Sequence, residues 1–125
     1  FRAIYEKFVV LFEHQFSRNY IHVRDVANAF MLGIDNFDSM KNNVFNVGLS
    51  DANLTKLQLC KKIQEHMKFK IIIDEVEKDP DQRNYIVSNK KIESQGFKPQ
   101  YSIDDGIEEL IQGFKSFKFR KYSNI

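Results

Sequence analysis

The sequence has one cysteine, two prolines, five glycines and no tryptophan in 125 residues. Cys60 stands alone, so no internal disulfide is possible, and a reducing cytoplasm is the simplest compartment. No apolar run is long enough to span a bilayer; the longest, Phe8–Phe12, has the length of a strand. No signal peptide is visible. His14 and His66 lie far apart with no ligand-spaced cysteines or carboxylates, which argues against a metal site. The sequence also lacks a Gly-rich phosphate loop and any Tyr-x-x-x-Lys pair. The net charge of +2 is too small to imply nucleic acid by itself.

What is present describes one modest domain with a core of its own. Hydrophobic residues make up 42% and charged residues 29%, and twelve Phe and five Tyr supply aromatic packing. Arg2–Lys7 reads as the end of a helix, Phe8–Phe12 as a buried strand, and Asn19–Val23 as a second, alternating strand. Asp25 is expected to cap a helix whose face carries Val26, Ala29, Phe30, Gly33, Ile34 and Phe37. Val44–Val47 reads as a short strand closed by Gly48. Thr55-x-x-Gln58 has capping-box spacing before a helix bearing Leu57, Cys60, Ile63 and Met67. Phe69–Ile73 reads as a strand, 74–82 as an acidic loop and Tyr85–Val87 as extended. Ser88–Gln95 reads as a short helix stopped at Gly96. Ser102-x-x-Asp105 opens a last helix with Ile103, Ile107, Leu110, Ile111 and Phe114 on one face. Mixed strands and helices give the class α/β. The domain reading is residues 1–114, followed by a basic, aromatic tail at 115–125.

Two arginines dominate the candidate chemistry. Arg18 lies in Arg18-Asn19-Tyr20-Ile21-His22-Val23-Arg24-Asp25-Val26, and Arg83 in Asp81-Gln82-Arg83-Asn84-Tyr85-Ile86-Val87. Each puts a guanidinium beside an alternating apolar segment. Two such forks converging on one cleft suit a diphosphate. His22 reads as a structural histidine and Cys60 as a core residue.

These blocks carry a resemblance. Arg18-x-Tyr20-Ile21-His22-Val23-x-Asp25-Val26-Ala27 resembles the arginine-aromatic-x-His-Val-x-Asp-Val block of extended short-chain dehydrogenases/reductases, the nucleotide-sugar epimerases and dehydratases. Phe45-Asn46-Val47-Gly48 is similar to their Tyr/Phe-Asn-hydrophobic-Gly strand. Asp81-x-Arg83-x-Tyr85, Lys91-Ile92, Gly96-Phe97-x-Pro99 and Ser102-Ile103-x-x-Gly106-Ile107 follow in the family's order. The resemblance runs from about Phe8 to Gly113.

The resemblance implies a small mixed α/β substrate-binding portion at the C-terminal end of a Rossmann-type enzyme. A chain that opens on Phe1 is then expected to be part of a longer protein. The dinucleotide-binding half and the Tyr-x-x-x-Lys pair would lie upstream, so no catalytic residue is expected in this segment. By resemblance, Arg18 and Arg83 hold the diphosphate of a nucleotide sugar, and Val10, Leu11 and Phe12 line its base through their backbone. Ser50 and Asp51 occupy a loop where relatives place a polar substrate contact. The parent would be an NAD- or NADP-dependent, cytoplasmic isomerase, lyase or oxidoreductase of carbohydrate biosynthesis, and a homodimer, with neither nucleic acid nor membrane as partner.

The segment departs from that pattern at Glu13-His14-Gln15-Phe16-Ser17, where many relatives have glycine, and at Asn84, where many have proline. Two other readings stand beside the enzyme. One is a non-catalytic module taking another anionic ligand in the same cleft. The other is a nucleic-acid binder using the tail, whose Phe117, Phe119 and Tyr122 interleave with Lys118, Arg120 and Lys121. A solvated tail or a subunit contact in the parent competes with the latter. Several strands look too short to complete a sheet of their own, and the isolated segment is expected to be unstable.

Overall fold

The apolar run forms strand β1 (Phe8–Phe12), which follows the short helix α1 (Arg2–Tyr5). The computed structural model describes residues 1–74 and 83–116. Most of the acidic loop and the end of the tail, residues 75–82 and 117–125, lie outside the described residues. In chain order there follow β2 (Ser17–Asn19), α2 (Val23–Asp35), α3 (Phe37–Met40), β3 (Asn53–Thr55) and α4 (Lys56–His66). Then come β4 (Lys70–Asp74), α5 (Lys90–Glu93) and α6 (Ile103–Ser116).

The strands form two small sheets. β1 pairs in parallel with β4, Phe8 opposite Lys70 through Phe12 opposite Asp74. β2 pairs antiparallel with β3, Ser17 opposite Thr55 through Asn19 opposite Asn53. β1 is not the buried strand its composition suggests: only Leu11 is buried and Phe8 is exposed, as are Ile72 and Ile73 of its partner β4. A two-stranded ribbon has too few neighbours to cover both faces.

The core lies elsewhere. Ala29 of α2, Met40 of α3, Ile92 of α5 and Phe97 close on one another, with Ile21, Leu32 and Phe45 packed around them. Phe45 belongs to the segment expected to be a strand. Val44–Val47 forms no ladder; Lys91 Nζ takes the Val44 carbonyl at 2.9 Å, and Asn46 Nδ2 reaches the Ser88 carbonyl at 3.2 Å. Side chains hold this stretch where a neighbouring strand was expected.

Both capping boxes form. At α4 the Thr55 amide donates to Gln58 Oε1 at 2.8 Å, and the Gln58 amide to Thr55 Oγ1 at 3.1 Å. At α6 Ser102 and Asp105 exchange the same bonds at 2.8 and 3.1 Å. Gly96, at φ 93°, ends the α5 turn as expected. That helix, Lys90–Glu93, is shorter than the Ser88–Gln95 reading. α6 runs through Ser116, so the first two residues of the expected tail are helical. α1 docks on its end, where Tyr5 Oη donates to the Phe114 carbonyl at 2.6 Å.

The expected cap at Asp25 is corrected. His22 is the N-cap of α2, its Nδ1 accepting from the Arg24 amide at 3.1 Å. The strand read as Asn19–Val23 accordingly ends at Asn19. Asp25 sits one turn in, fully buried, and accepts from the Gln100 and Tyr101 amides at 3.0 Å each. It still faces the positive end of α2, and it ties α2 to the segment that leads into α6. Among the described residues no helix is long and apolar enough to cross a membrane.

Candidate functional site: two arginines on the β2–β3 ladder

The ladder brings the two arginine blocks together. Arg18, in the middle of β2, donates from Nη1 to the Ser17 carbonyl at 2.8 Å and to the backbone carbonyl of Arg83. Its guanidinium lies 5.2 Å from the ring centroid of Tyr85. A planar guanidinium over an aromatic face gains cation–π attraction and is held flat.

The Arg83 segment is extended and makes no ladder of its own, so side chains supply its register. Asn53, on β3, grips Val87 from both sides: its Nδ2 donates to the Val87 carbonyl at 3.0 Å, and its Oδ1 accepts from the Val87 amide at 2.9 Å. One side-chain amide thus does what a paired strand residue would do. At the other end the Ser17 amide donates to Asn84 Oδ1 at 2.9 Å. Asn84, where relatives often carry proline, is therefore part of the lock. These bonds leave Arg83 exposed, with its backbone fixed beside Arg18.

Val10, Leu11 and Phe12 face Ile72, Ile73 and Asp74 across the parallel ladder. Among the described residues β1 has a strand neighbour on one edge only, and the Phe12 carbonyl accepts from Lys56 Nζ at 3.2 Å. The link from β1 to β2 turns at Glu13, which holds φ 43°. That is the left-handed region which favours glycine, so a side chain is carried there at a conformational cost.

Ser50 and Asp51 sit at the tip of a turn pinned to the end of β2. The Leu49 amide donates to the Tyr20 carbonyl at 3.2 Å, and Asn19 Nδ2 to the Leu49 carbonyl at 2.8 Å. Ser50 Oγ donates to Glu93 Oε1 on α5, and Asp51 is exposed. Gly48 begins this turn because nothing larger fits: a Cβ there would lie 1.6 Å from Asn19 Oδ1.

Neighbouring polar groups hold the site rather than act in it. The His22 ring stacks on Tyr101 with centroids 4.4 Å apart, and its Nε2 lies 3.3 Å from Glu109 Oε2, as a structural histidine would. Burial pushes the Tyr20 hydroxyl above its ordinary range, against a smaller downward pull from Arg18. Burial likewise raises the Cys60 thiol, leaving it protonated and inert. Among the described residues no three His, Cys, Asp or Glu side chains cluster as a metal would need.

The residues present do not fit a dinucleotide. β1 runs into the Glu13 turn and then β2, not into a glycine-lined helix N-terminus that grips a pyrophosphate. What the arrangement does show is the Arg18 guanidinium held against the Arg83 backbone.

Sequence reasoning missed Asn53 and Asp25. Asp25 read as a cap and Asn53 drew no reading, and only their partners, 75 and 34 positions away, give them their roles. Tyr85 was legible as part of its block, but not as the platform under Arg18.

The architecture is that of the C-terminal portion of Rossmann-type extended short-chain dehydrogenases/reductases. This is the fold the ordered blocks of the sequence led us to expect. RMD from Pseudomonas aeruginosa, complexed with NADPH, superposes with a TM-score of 0.70 over 93% of this chain at 18% identity. ADP-L-glycero-D-manno-heptose-6-epimerase from Helicobacter pylori gives 0.71 over 93% at 24% identity. UDP-glucose 4-epimerase from Thermotoga maritima, with UDP-glucose, gives 0.69 over 92% at 25% identity. The chain spans only 38%, 36% and 37% of the lengths of these three proteins. No family model matches the sequence.

Proposed function

We propose that this chain is the substrate-binding portion of an NAD(P)-dependent nucleotide-sugar epimerase, dehydratase or reductase, and that Arg18 and Arg83 hold the substrate's diphosphate. The observation that carries the reading is the convergence of Arg18 and Arg83 through the bond to the Arg83 carbonyl. Val10–Phe12 takes the base along the open edge of β1, with Ser50 and Asp51 as a further polar contact. The nicotinamide cofactor and the groups that react belong to the other half of the parent enzyme, a cytoplasmic homodimer. Bound there, the cofactor supplies reversible hydride transfer. The residues of this chain contribute position: two fixed guanidiniums hold the diphosphate so that the sugar meets the reacting groups at high effective concentration.

The open face of α2 supports a missing neighbour. Phe30 and Ile34 on α2 are 72% and 66% exposed, and Phe37 at the start of α3 is 63% exposed. An apolar patch of this kind marks a surface that packs on something else, and we place the dinucleotide-binding half there.

The test is binding of UDP-glucose and GDP-mannose to the intact protein and its variants. Arg83→Ala removes a guanidinium while leaving the backbone carbonyl that Arg18 engages. A charge-assisted hydrogen bond contributes about 1.5–3 kcal/mol, so affinity for the accepted nucleotide sugar should fall roughly 10- to 150-fold, with NAD(P) affinity unchanged. Arg18→Ala should cost at least as much, because it also frees the Arg83 segment. Unchanged nucleotide-sugar affinity in both variants refutes the clamp.

A further inference from the structure

Val44–Val47 joins no ladder, yet it alternates as a strand does. The stretch runs without turn or bend. Phe45 packs against the core, and Phe45 and Val47 line a hollow of about 390 Å³ together with Phe30 and Ile34 of α2 and Phe37 of α3. The residues between, Val44 and Asn46, stay out of that hollow and are exposed, Val44 by 85%. A period of two is the geometry of a β-strand.

The backbone of this stretch is largely unused. Lys91 Nζ takes the Val44 carbonyl at 2.9 Å. Among the described residues the amides of Val44, Phe45, Asn46 and Val47, and the carbonyls of Phe45, Asn46 and Val47, make no hydrogen bond. In a strand the N–H and C=O of one residue share an edge, and successive residues alternate edges. Lys91 sits on one edge, so the groups of Phe45 and Val47 point to the other.

We propose that Val44–Val47 is an edge that takes an added β-strand, and that an apolar strand from the remainder of the parent protein supplies it, lying against Phe30 and Ile34. Backbone and side chains together select this occupant. A row of free donors and acceptors is matched by another extended backbone, whereas a helix keeps its own groups bonded and an apolar small molecule has none to offer. The hollow beside them asks for apolar side chains. No strand among the described residues reaches this edge, since β1 pairs with β4 and β2 with β3. The chain spans 38%, 36% and 37% of the proteins it superposes on, so the rest of such a protein is long enough to provide the strand. The proposal rests on the reading that this chain is one portion of a longer enzyme, and not on the arginines as diphosphate ligands.

The experiment is residue-resolved hydrogen exchange of the intact protein. The Phe45 and Val47 amides should exchange roughly 100-fold or more slower than in an unstructured chain, because protection requires a hydrogen bond that this chain does not give them. That protection should survive dilution. Phe30→Lys combined with Ile34→Lys should lower the urea midpoint of the intact protein, since the added strand lies against both side chains. Unprotected Phe45 and Val47 amides overturn the proposal, as does an unchanged midpoint in the double variant. Protection that is lost on dilution assigns the edge to a second copy of the chain instead. Slow exchange without UDP-glucose binding sinks the diphosphate reading and leaves the strand standing; normal UDP-glucose binding with fast exchange does the reverse.

Discussion

Replacing Asp25 with alanine is expected to be among the most damaging single changes in this chain. The carboxylate is fully buried and accepts from the Gln100 and Tyr101 amides at 3.0 Å each, and from Asn28 Nδ2 at 3.4 Å. Alanine leaves two part-buried backbone amides without an acceptor. Each buried, unsatisfied donor costs about 1–3 kcal/mol. The pair therefore puts the loss at about 2–6 kcal/mol, a large share of the roughly 5–15 kcal/mol that holds a domain folded. Asp25→Asn keeps one acceptor oxygen but turns a donor toward the second amide, so it should recover only part of that loss. Urea unfolding of the intact protein gives the change as a lower midpoint at constant slope. Hydrogen exchange should show the Gln100 and Tyr101 amides among the first to lose protection. A midpoint within experimental error of the parent for Asp25→Ala, with those two amides still protected, would refute the assignment.

Three further outcomes follow from the geometry. Gly48→Ala forces a Cβ to within 1.6 Å of Asn19 Oδ1 and should destabilise by about 1–3 kcal/mol, as overpacking does. Gly33→Ala, in the middle of α2 with nothing within 4 Å, should instead stabilise by about 0.5–1 kcal/mol; paired thermal melts separate the two. Asn53→Ala removes both bonds to Val87, so the Val87 amide should exchange faster and nucleotide-sugar affinity should drop along with it, measured by hydrogen exchange and calorimetry. Asp104 is held below the ordinary carboxylate range by its hydrogen bond from His66, with Lys62 adding to it. Its contribution is therefore present above the unfolded carboxylate pKa and is lost as pH falls through the lower folded value. Asp104→Asn should flatten the acid limb of a stability–pH curve at the α4–α6 contact.

Local signals were legible where one stretch of chain decides its own state. The strand at Phe8–Phe12, both capping boxes and the stop at Gly96 turn on neighbours within a few positions, and each formed, although the strand is not buried as read. Reading failed where distant groups decide. Val44–Val47 has strand composition, yet Lys91 and Ser88 take its polar groups and no ladder forms. Asp25 looks like a cap, yet His22 two residues before the first-turn amides takes that role, freeing the carboxylate for Gln100 and Tyr101. The apolar stripe read for α2 runs past the end of that helix to Phe37 of α3, and composition alone does not say that Phe30, Ile34 and Phe37 remain uncovered.

By itself the sequence determined the two arginine-bearing blocks, the order in which they fall and the class of fold they belong to. A guanidinium is a fork for phosphate wherever it sits. Only the tertiary structure decided that Arg18 and Arg83 meet, because their approach depends on bonds between residues 34 to 67 positions apart: Asn53 on Val87, Asn84 on Ser17, Arg18 on the Arg83 carbonyl. Such bonds leave no periodicity for a sequence to show, since they exist only after the β2–β3 ladder has closed.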